Sequence, residues 1–186
     1  MTGYGYHAVF PTRWNDNDQY GHVNNAVYYE AMDTTINTWL IAAGLEPTGS
    51  EHIAVCASSS CEYRASVTFP DAMRVGLRAG RLGTTSVTWE LAIHRAPATA
   101  PGAGRRTAGR GGAGRDDAPE ETADQDDAGE DDVSRDDAGG GAGAAGEPVA
   151  TGRFVHVFVD ARTRRPAPIP DVLRKAIERD LVVAGA

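Results

Sequence analysis

The sequence predicts an α+β domain: one long central helix wrapped by a five-stranded antiparallel sheet, with a disordered insert between the last two strands. Three observations carry that prediction. Apolar side chains recur with helical period behind Asn25, over a run long enough to lie across a whole sheet. Five other stretches alternate apolar with polar residues, and turn formers separate them. Residues 97–147 contain no Leu, Ile, Phe, Trp, Tyr, Met or Cys and a single valine, Val133, so they cannot bury enough apolar surface to offset the entropy of ordering them. The 186-residue chain is therefore read as a single domain assembled from residues 1–96 and 148–186, with an acidic Gly/Ala/Asp-rich insert at 97–147.

His7 to Trp14 reads as the first strand, broken by Pro11 and so placed at an edge or a bulge. The helix follows. Tyr28, Met32, Thr35, Ile36, Trp39, Leu40 and Ala43 share one face, while Glu30, Asp33, Thr34, Asn37 and Thr38 fall opposite. Asn24 or Asn25 can cap its start and Gly44 can end it, which gives about nineteen residues and a length on the order of 28 Å. Glu51 to Ala65 forms a second strand whose small side chains are expected to admit the helix. Cys56 and Cys61 lie on it, five apart and so on opposite faces, and are read as small buried side chains rather than a disulfide or metal pair. Phe69-Pro70-Asp71 makes a turn. A hairpin follows, with Met73, Val75, Leu77 and Ala79 in its first strand and Val87, Trp89, Leu91 and Ile93 in its second, joined at Gly83-Thr84. Ala150 to Asp160 is the fifth strand, with Phe154, His156 and Phe158 on one face, and three prolines then lead into a helix over Asp171–Val183. The last four strands are expected to pair as hairpins. One helix leaves the sheet edges uncovered, so a homodimer or homotetramer is expected.

The formal net charge is −8, and the insert accounts for all of it: thirteen Asp and Glu against five Arg give 5 − 13 = −8. The rest of the chain is neutral, which argues against nucleic acid as a partner. No run approaches the roughly twenty apolar residues of a membrane span, and the N-terminus lacks a secretory signal pattern, so a cytoplasmic location is expected.

Between the first strand and the helix, the chain gathers Asp16, Asp18, Gly21, His22, Asn24 and Asn25 into ten positions. Such a loop feeds reactive side chains straight into a helix N-terminus, whose unpaired N–H groups and positive dipole end suit developing negative charge. With Trp14, Asp18, Gly21, His22, Val23, Asn24, Asn25 and Tyr28 in place, this stretch resembles the signature of hotdog-fold acyl-CoA thioesterases of the 4-hydroxybenzoyl-CoA thioesterase type. The closing VFVDARTRRPAPIP is also similar, and the resemblance covers roughly residues 7–96 and 148–175 but not the insert.

The resemblance implies hydrolysis of an acyl-CoA to a carboxylic acid and free coenzyme A, with no metal or redox cofactor. It assigns Asp18 the role of general base or nucleophile and the Asn25 backbone N–H that of oxyanion donor. His22 either joins the chemistry or orients the turn, Asp16 is structural, and Asn24 is a cap. Tyr20 stands where similar plant acyl-carrier-protein thioesterases have an asparagine. Arg162, Arg164 and Arg165 are either candidate ligands for the coenzyme A phosphates or simply solvated in a surface turn; the paired arginines that serve some relatives are absent from the turn Leu82–Thr85, so that contact is not carried over. The alternative is a non-catalytic hotdog protein that binds acyl-CoA or acyl carrier protein as a sensor or scaffold.

Overall fold

In the computed structural model, which describes residues 3–97 and 146–181, a central helix α1 (Asn25–Ala42) packs on one face of a five-stranded antiparallel sheet. The strands are β1 (Tyr6–Pro11), β2 (His52–Tyr63), β3 (Ala72–Leu82), β4 (Ser86–Ala96) and β5 (Ala150–Asp160), and a second helix, α2 (Asp171–Asp180), follows them. The predicted insert falls, from residue 98 to 145, outside the described residues. No helix among those described is long and apolar enough to cross a membrane.

Local signals set the bounds of α1. The Asn24 side chain accepts the Ala26 N–H at 2.9 Å, and Gly44 leaves the helix at φ 110°, a conformation that costs glycine little. Val27, Tyr28, Ala31, Met32, Thr35, Ile36, Trp39 and Leu40 are buried, so the stripe predicted from sequence is widened by Val27 and Ala31. Below it lie Met73, Val75 and Leu77 of β3, Trp89 and Leu91 of β4, and Phe154 and Phe158 of β5. Leu173 and Ile177 of α2 join the same core.

The sheet order is β1-β3-β4-β5-β2, which corrects the expectation that the last four strands pair as successive hairpins. β3 and β4 do form a hairpin, but β2 pairs with β5. The connection from β2 to β3 therefore crosses from one side of the sheet to the other. β1 is an edge strand, as Pro11 suggests, but it ends there, and Trp14 belongs to a 3₁₀ turn over Trp14–Asp16 instead.

The place of β2 overturns two further expectations. As the second edge strand it is largely exposed, and the close approach of the helix occurs on β5, where a Cβ at Gly152 would overlap the Met32 Sδ. A bulge between Cys56 and Ser58 adds one residue to the strand, so its alternation reverses midway. Cys56 then pairs with His156 and Cys61 with Gly152, both residues of the helix-facing side; the two cysteines share a face. Neither is a buried core residue: Cys56 is exposed and Cys61 half-buried, and both are free. Partial desolvation raises both thiol pKa values, so neither is poised as a thiolate.

His156 is 2% exposed, and neither ring nitrogen has a hydrogen-bond partner among the described residues. Trp89 of β4 lies edge-on to it and meets Trp39 edge-on in turn, Cys56 is its neighbour on β2, and Asp33 of α1 is the charge that acts on it. Burial holds its pKa below 6.5, and Asp33 opposes that only in part. Above 6.5 the ring is neutral both folded and unfolded. As pH falls below that value the unfolded chain takes up a proton that the folded chain refuses, so stability declines. The urea midpoint is therefore expected to drop between pH 7.5 and pH 5, and His156→Leu should flatten that slope; an unchanged slope would place the titration elsewhere.

The insert can be tested through its flanks. Ile93 pairs with Ala150, and the Val149 N–H donates to the Ile93 carbonyl at 2.7 Å, so the β4–β5 ladder closes before the insert, and the last residues of β4 pair with β3. Deleting residues 99–146 and closing the gap with Asn-Gly is expected to keep the circular dichroism spectrum and the activity, because loop-closure entropy depends only logarithmically on length. Loss of structure would show that the insert contributes to the core.

Candidate active site

The loop ahead of α1 is a miniature antiparallel ladder. The Asn24 N–H donates to the Asp16 carbonyl at 2.8 Å, Asn17 bridges Val23, and the Asp18 N–H donates to the His22 carbonyl at 2.8 Å. Gly21, at φ 78°, closes the tip. Because Asp18 stands two rungs out from the helix cap, its backbone lies only about 7 Å along the ladder from the start of α1.

Two anchors tie this ladder to the body of the protein. Asn17 accepts the Phe69 N–H at 3.1 Å, and the Val23 N–H donates to the Val67 carbonyl at 2.8 Å. Asp16 is buried, and its carboxylate accepts the Arg13 backbone N–H at 2.7 Å and the Arg13 Nε at 3.0 Å. The aspartate raises the Arg13 pKa, chiefly through that side-chain bond. Both oxygens of Asp16 are thus engaged in holding the loop.

Asp18 is held differently. Its Oδ1 accepts the N–H groups of Tyr20 at 2.8 Å and His22 at 3.3 Å, which orients the carboxylate while Oδ2 has no protein donor among the described residues. It borders a pocket of about 330 Å³ lined by Trp14, Asn17, Asp18, Gln19 and Gly21. At the helix start the Asn24 side chain takes the Ala26 N–H and its carbonyl takes the Val27 N–H, so the Asn25 N–H is left without a protein acceptor among the described residues. Tyr63, from the end of β2, donates its hydroxyl to the Asn25 carbonyl at 3.2 Å and lies edge-on to Tyr28. Tyr28 in turn accepts the Val67 N–H at 3.0 Å, and burial raises its pKa. Tyr28 belongs to the motif read from sequence, whereas Tyr63 was not singled out, and only the fold brings it to the loop.

The family model of the thioesterase-like superfamily matches residues 12–177. The chain belongs to that superfamily. Among solved structures, this thioesterase-like chain is similar to the PA5185 protein of Pseudomonas aeruginosa, with 36% identity over 98% of this chain and 96% of that one and a TM-score of 0.68. A Thermus thermophilus thioesterase solved with coenzyme A and zinc is 21% identical over 96% and 95% of the two chains, with a TM-score of 0.60. A gentisyl-coenzyme A thioesterase is 16% identical over 91% and 99%, with a TM-score of 0.58. The last two bear on the hotdog fold alone. No curated protein matches the chain.

The structure places Asp18, His22 and Asn25 of this thioesterase-like protein in one loop and helix start, whereas Arg162, Arg164 and Arg165 stand elsewhere. They occupy the exposed turn after β5, capped by Asp160, whose Oδ1 accepts the Arg162 and Thr163 N–H groups. Tyr63 pairs with Ala150 and His52 with Asp160; the arginines are therefore at the other end of β5, roughly 33 Å along the strand from the loop.

Proposed function

We propose that the protein is an acyl-CoA thioesterase of the cytoplasm, where its two cysteines stay reduced. The observation that carries this reading is the placement, in a thioesterase-like chain, of a loop carboxylate with one fixed and one open oxygen beside the uncapped N–H of Asn25. In the general-base route, Asp18 Oδ2 takes a proton from water and the hydroxide adds to the thioester carbonyl. The oxyanion is then met by the Asn25 N–H and the positive end of α1. Collapse breaks the C–S bond, Asp18 returns the proton to the leaving thiolate, and a carboxylic acid and free coenzyme A result. In the nucleophilic route the same oxygen adds to the carbonyl, expels the thiolate, and leaves a mixed anhydride that water cleaves. His22 lends its backbone to the orientation of Asp18 in either case.

The bonds to Asp18 Oδ1 are also those of a purely structural turn, which favours a second reading, a protein that binds acyl-CoA or an acyl carrier without cleaving it. Free-thiol release measured across short, long and aromatic acyl-CoAs decides between them. Release with any of these supports hydrolysis, and binding without release supports the scaffold.

The assembly we propose is a dimer through β2. From His52 to Cys61 this edge strand contains no Asp, Glu, Lys, Arg or Pro, the devices that normally keep an exposed edge from pairing. An antiparallel pairing with a second β2 would satisfy both edges at once.

A further inference from the structure

The bonds that shape the start of α1 stay mostly within its own neighbourhood. Asn24 caps the Ala26 N–H, its carbonyl takes the Val27 N–H, and its own N–H reaches only to the Asp16 carbonyl. Loop and helix start could therefore shift together against the sheet, and the Asn25 N–H would shift with them. Val23 and Tyr28, both bonded to Val67, and Asn17, bonded to Phe69, tie this unit to the connection between β2 and β3. One tie comes from a strand itself. Among the described residues, Tyr63 at the end of β2 is where the sheet hydrogen-bonds to the first turn of α1, its hydroxyl donating to the Asn25 carbonyl at 3.2 Å.

Tyr63 is well placed to hold that bond. It is laddered to Ala150 of β5, and its ring lies edge-on to the buried Tyr28, with centroids 5.2 Å apart and planes at 86°, so backbone and ring are both restrained. Burial raises the phenol pKa, and the neighbouring Cys61 thiol raises it further, so the hydroxyl keeps the proton it donates. A helical carbonyl accepts one N–H from the next turn and has a second lone pair free; at Asn25 the tyrosine takes it. The carbonyl and the N–H of Asn25 flank one Cα, so a clamp on the first restricts the rotations that would swing the second.

We propose that Tyr63 is a positioning residue of the reaction: by clamping the Asn25 carbonyl, it aims the Asn25 N–H at the thioester oxygen before substrate arrives. The inference rests on the acyl-CoA reading above and adds to it a residue of the sheet edge that acts only through Asn25. Its contribution is preorganisation. An oxyanion donor lowers the barrier only if it stands in place when charge develops, and a displacement of about 1 Å can cost up to about a hundredfold in rate.

Tyr63→Phe removes the hydroxyl and keeps the ring against Tyr28. With the acyl-CoA that the wild type cleaves fastest, kcat is expected to fall about tenfold, with KM and the urea midpoint unchanged. A second readout needs no turnover. In Asp18→Asn, which should hold the thioester uncleaved, the infrared band of an isotope-labelled thioester carbonyl is expected to move to lower frequency on binding as the Asn25 N–H polarises it. Adding Tyr63→Phe should return part of that shift towards the free value. Wild-type kcat in a folded Tyr63→Phe protein, or a band that ignores the substitution, would overturn the inference, because the donor would then be aimed without the hydroxyl. A raised KM with kcat intact would overturn it too, by making Tyr63 a substrate contact. The two proposals fail separately. If the wild type binds acyl-CoA without releasing thiol, yet the carbonyl band shifts and depends on Tyr63, the hydrolase falls and the clamp stands. If the wild type releases thiol and the band is blind to Tyr63, the hydrolase stands and the clamp falls. A band that stays at its free frequency with Tyr63 intact would remove the Asn25 donor, and the clamp with it.

Discussion

Asp18→Asn is expected to lower kcat by at least about a hundredfold, the scale of lost general acid–base catalysis, with no measurable change in stability. The amide keeps an oxygen that can accept the Tyr20 and His22 N–H groups, so the turn at Gly21 should persist. What is lost is the charge on the oxygen that borders the Trp14–Gly21 pocket. Thiol release, read beside circular dichroism and a urea titration, checks this directly, and wild-type turnover in a folded Asp18→Asn protein would remove Asp18 from the chemistry. His22→Ala should cost less, because it is the His22 backbone that engages Asp18. Equal losses in the two variants would point to a coupled pair instead.

The parts of this fold that were legible in the sequence are those decided by neighbours along the chain. Asn24 caps α1 and Gly44 ends it because both act within a turn of the helix. Ala150–Asp160 alternates without interruption, and its predicted bounds match those of β5. The misplaced parts depend on pairing between distant segments. β2 reads as a strand from its composition, but nothing in residues 52–63 says that its partner is β5 rather than β3. The bulge that puts Cys56 and Cys61 on one face is equally silent, because an extra residue shows only against the opposing strand. The candidate site divides the same way. Asp18, His22 and Asn25 fall together because eight consecutive residues fold on themselves. Tyr63 escaped notice because its meeting with Tyr28 depends on where the edge strand lies relative to α1.

The two aspartates of the loop are alike in sequence and unlike in structure, and Asp16→Ala should expose the difference. Asp18 presents an open oxygen to a pocket; Asp16 is 4% exposed and spends both oxygens on Arg13. Removing the Asp16 carboxylate leaves the Arg13 backbone N–H without its acceptor and frees the segment whose carbonyl holds the Asn24 N–H at the helix cap. Hydrogen bonds to a charged group contribute about 1.5–3 kcal/mol each. The ionic part is screened by water, since the Arg13 side chain is 65% exposed, so a net loss of about 2 kcal/mol is expected. Asp16→Asn keeps an acceptor for the Arg13 N–H and should cost less. Turnover in the alanine variant should also fall, because the ladder that sets Asp18 beside the start of α1 has lost its base. The signature is the combination: a lowered urea midpoint for Asp16→Ala, against an unchanged midpoint with lost turnover for Asp18→Asn. If Asp16→Ala instead kept its midpoint and lost activity as steeply as Asp18→Asn, Asp16 would be part of the chemistry rather than the frame that positions it.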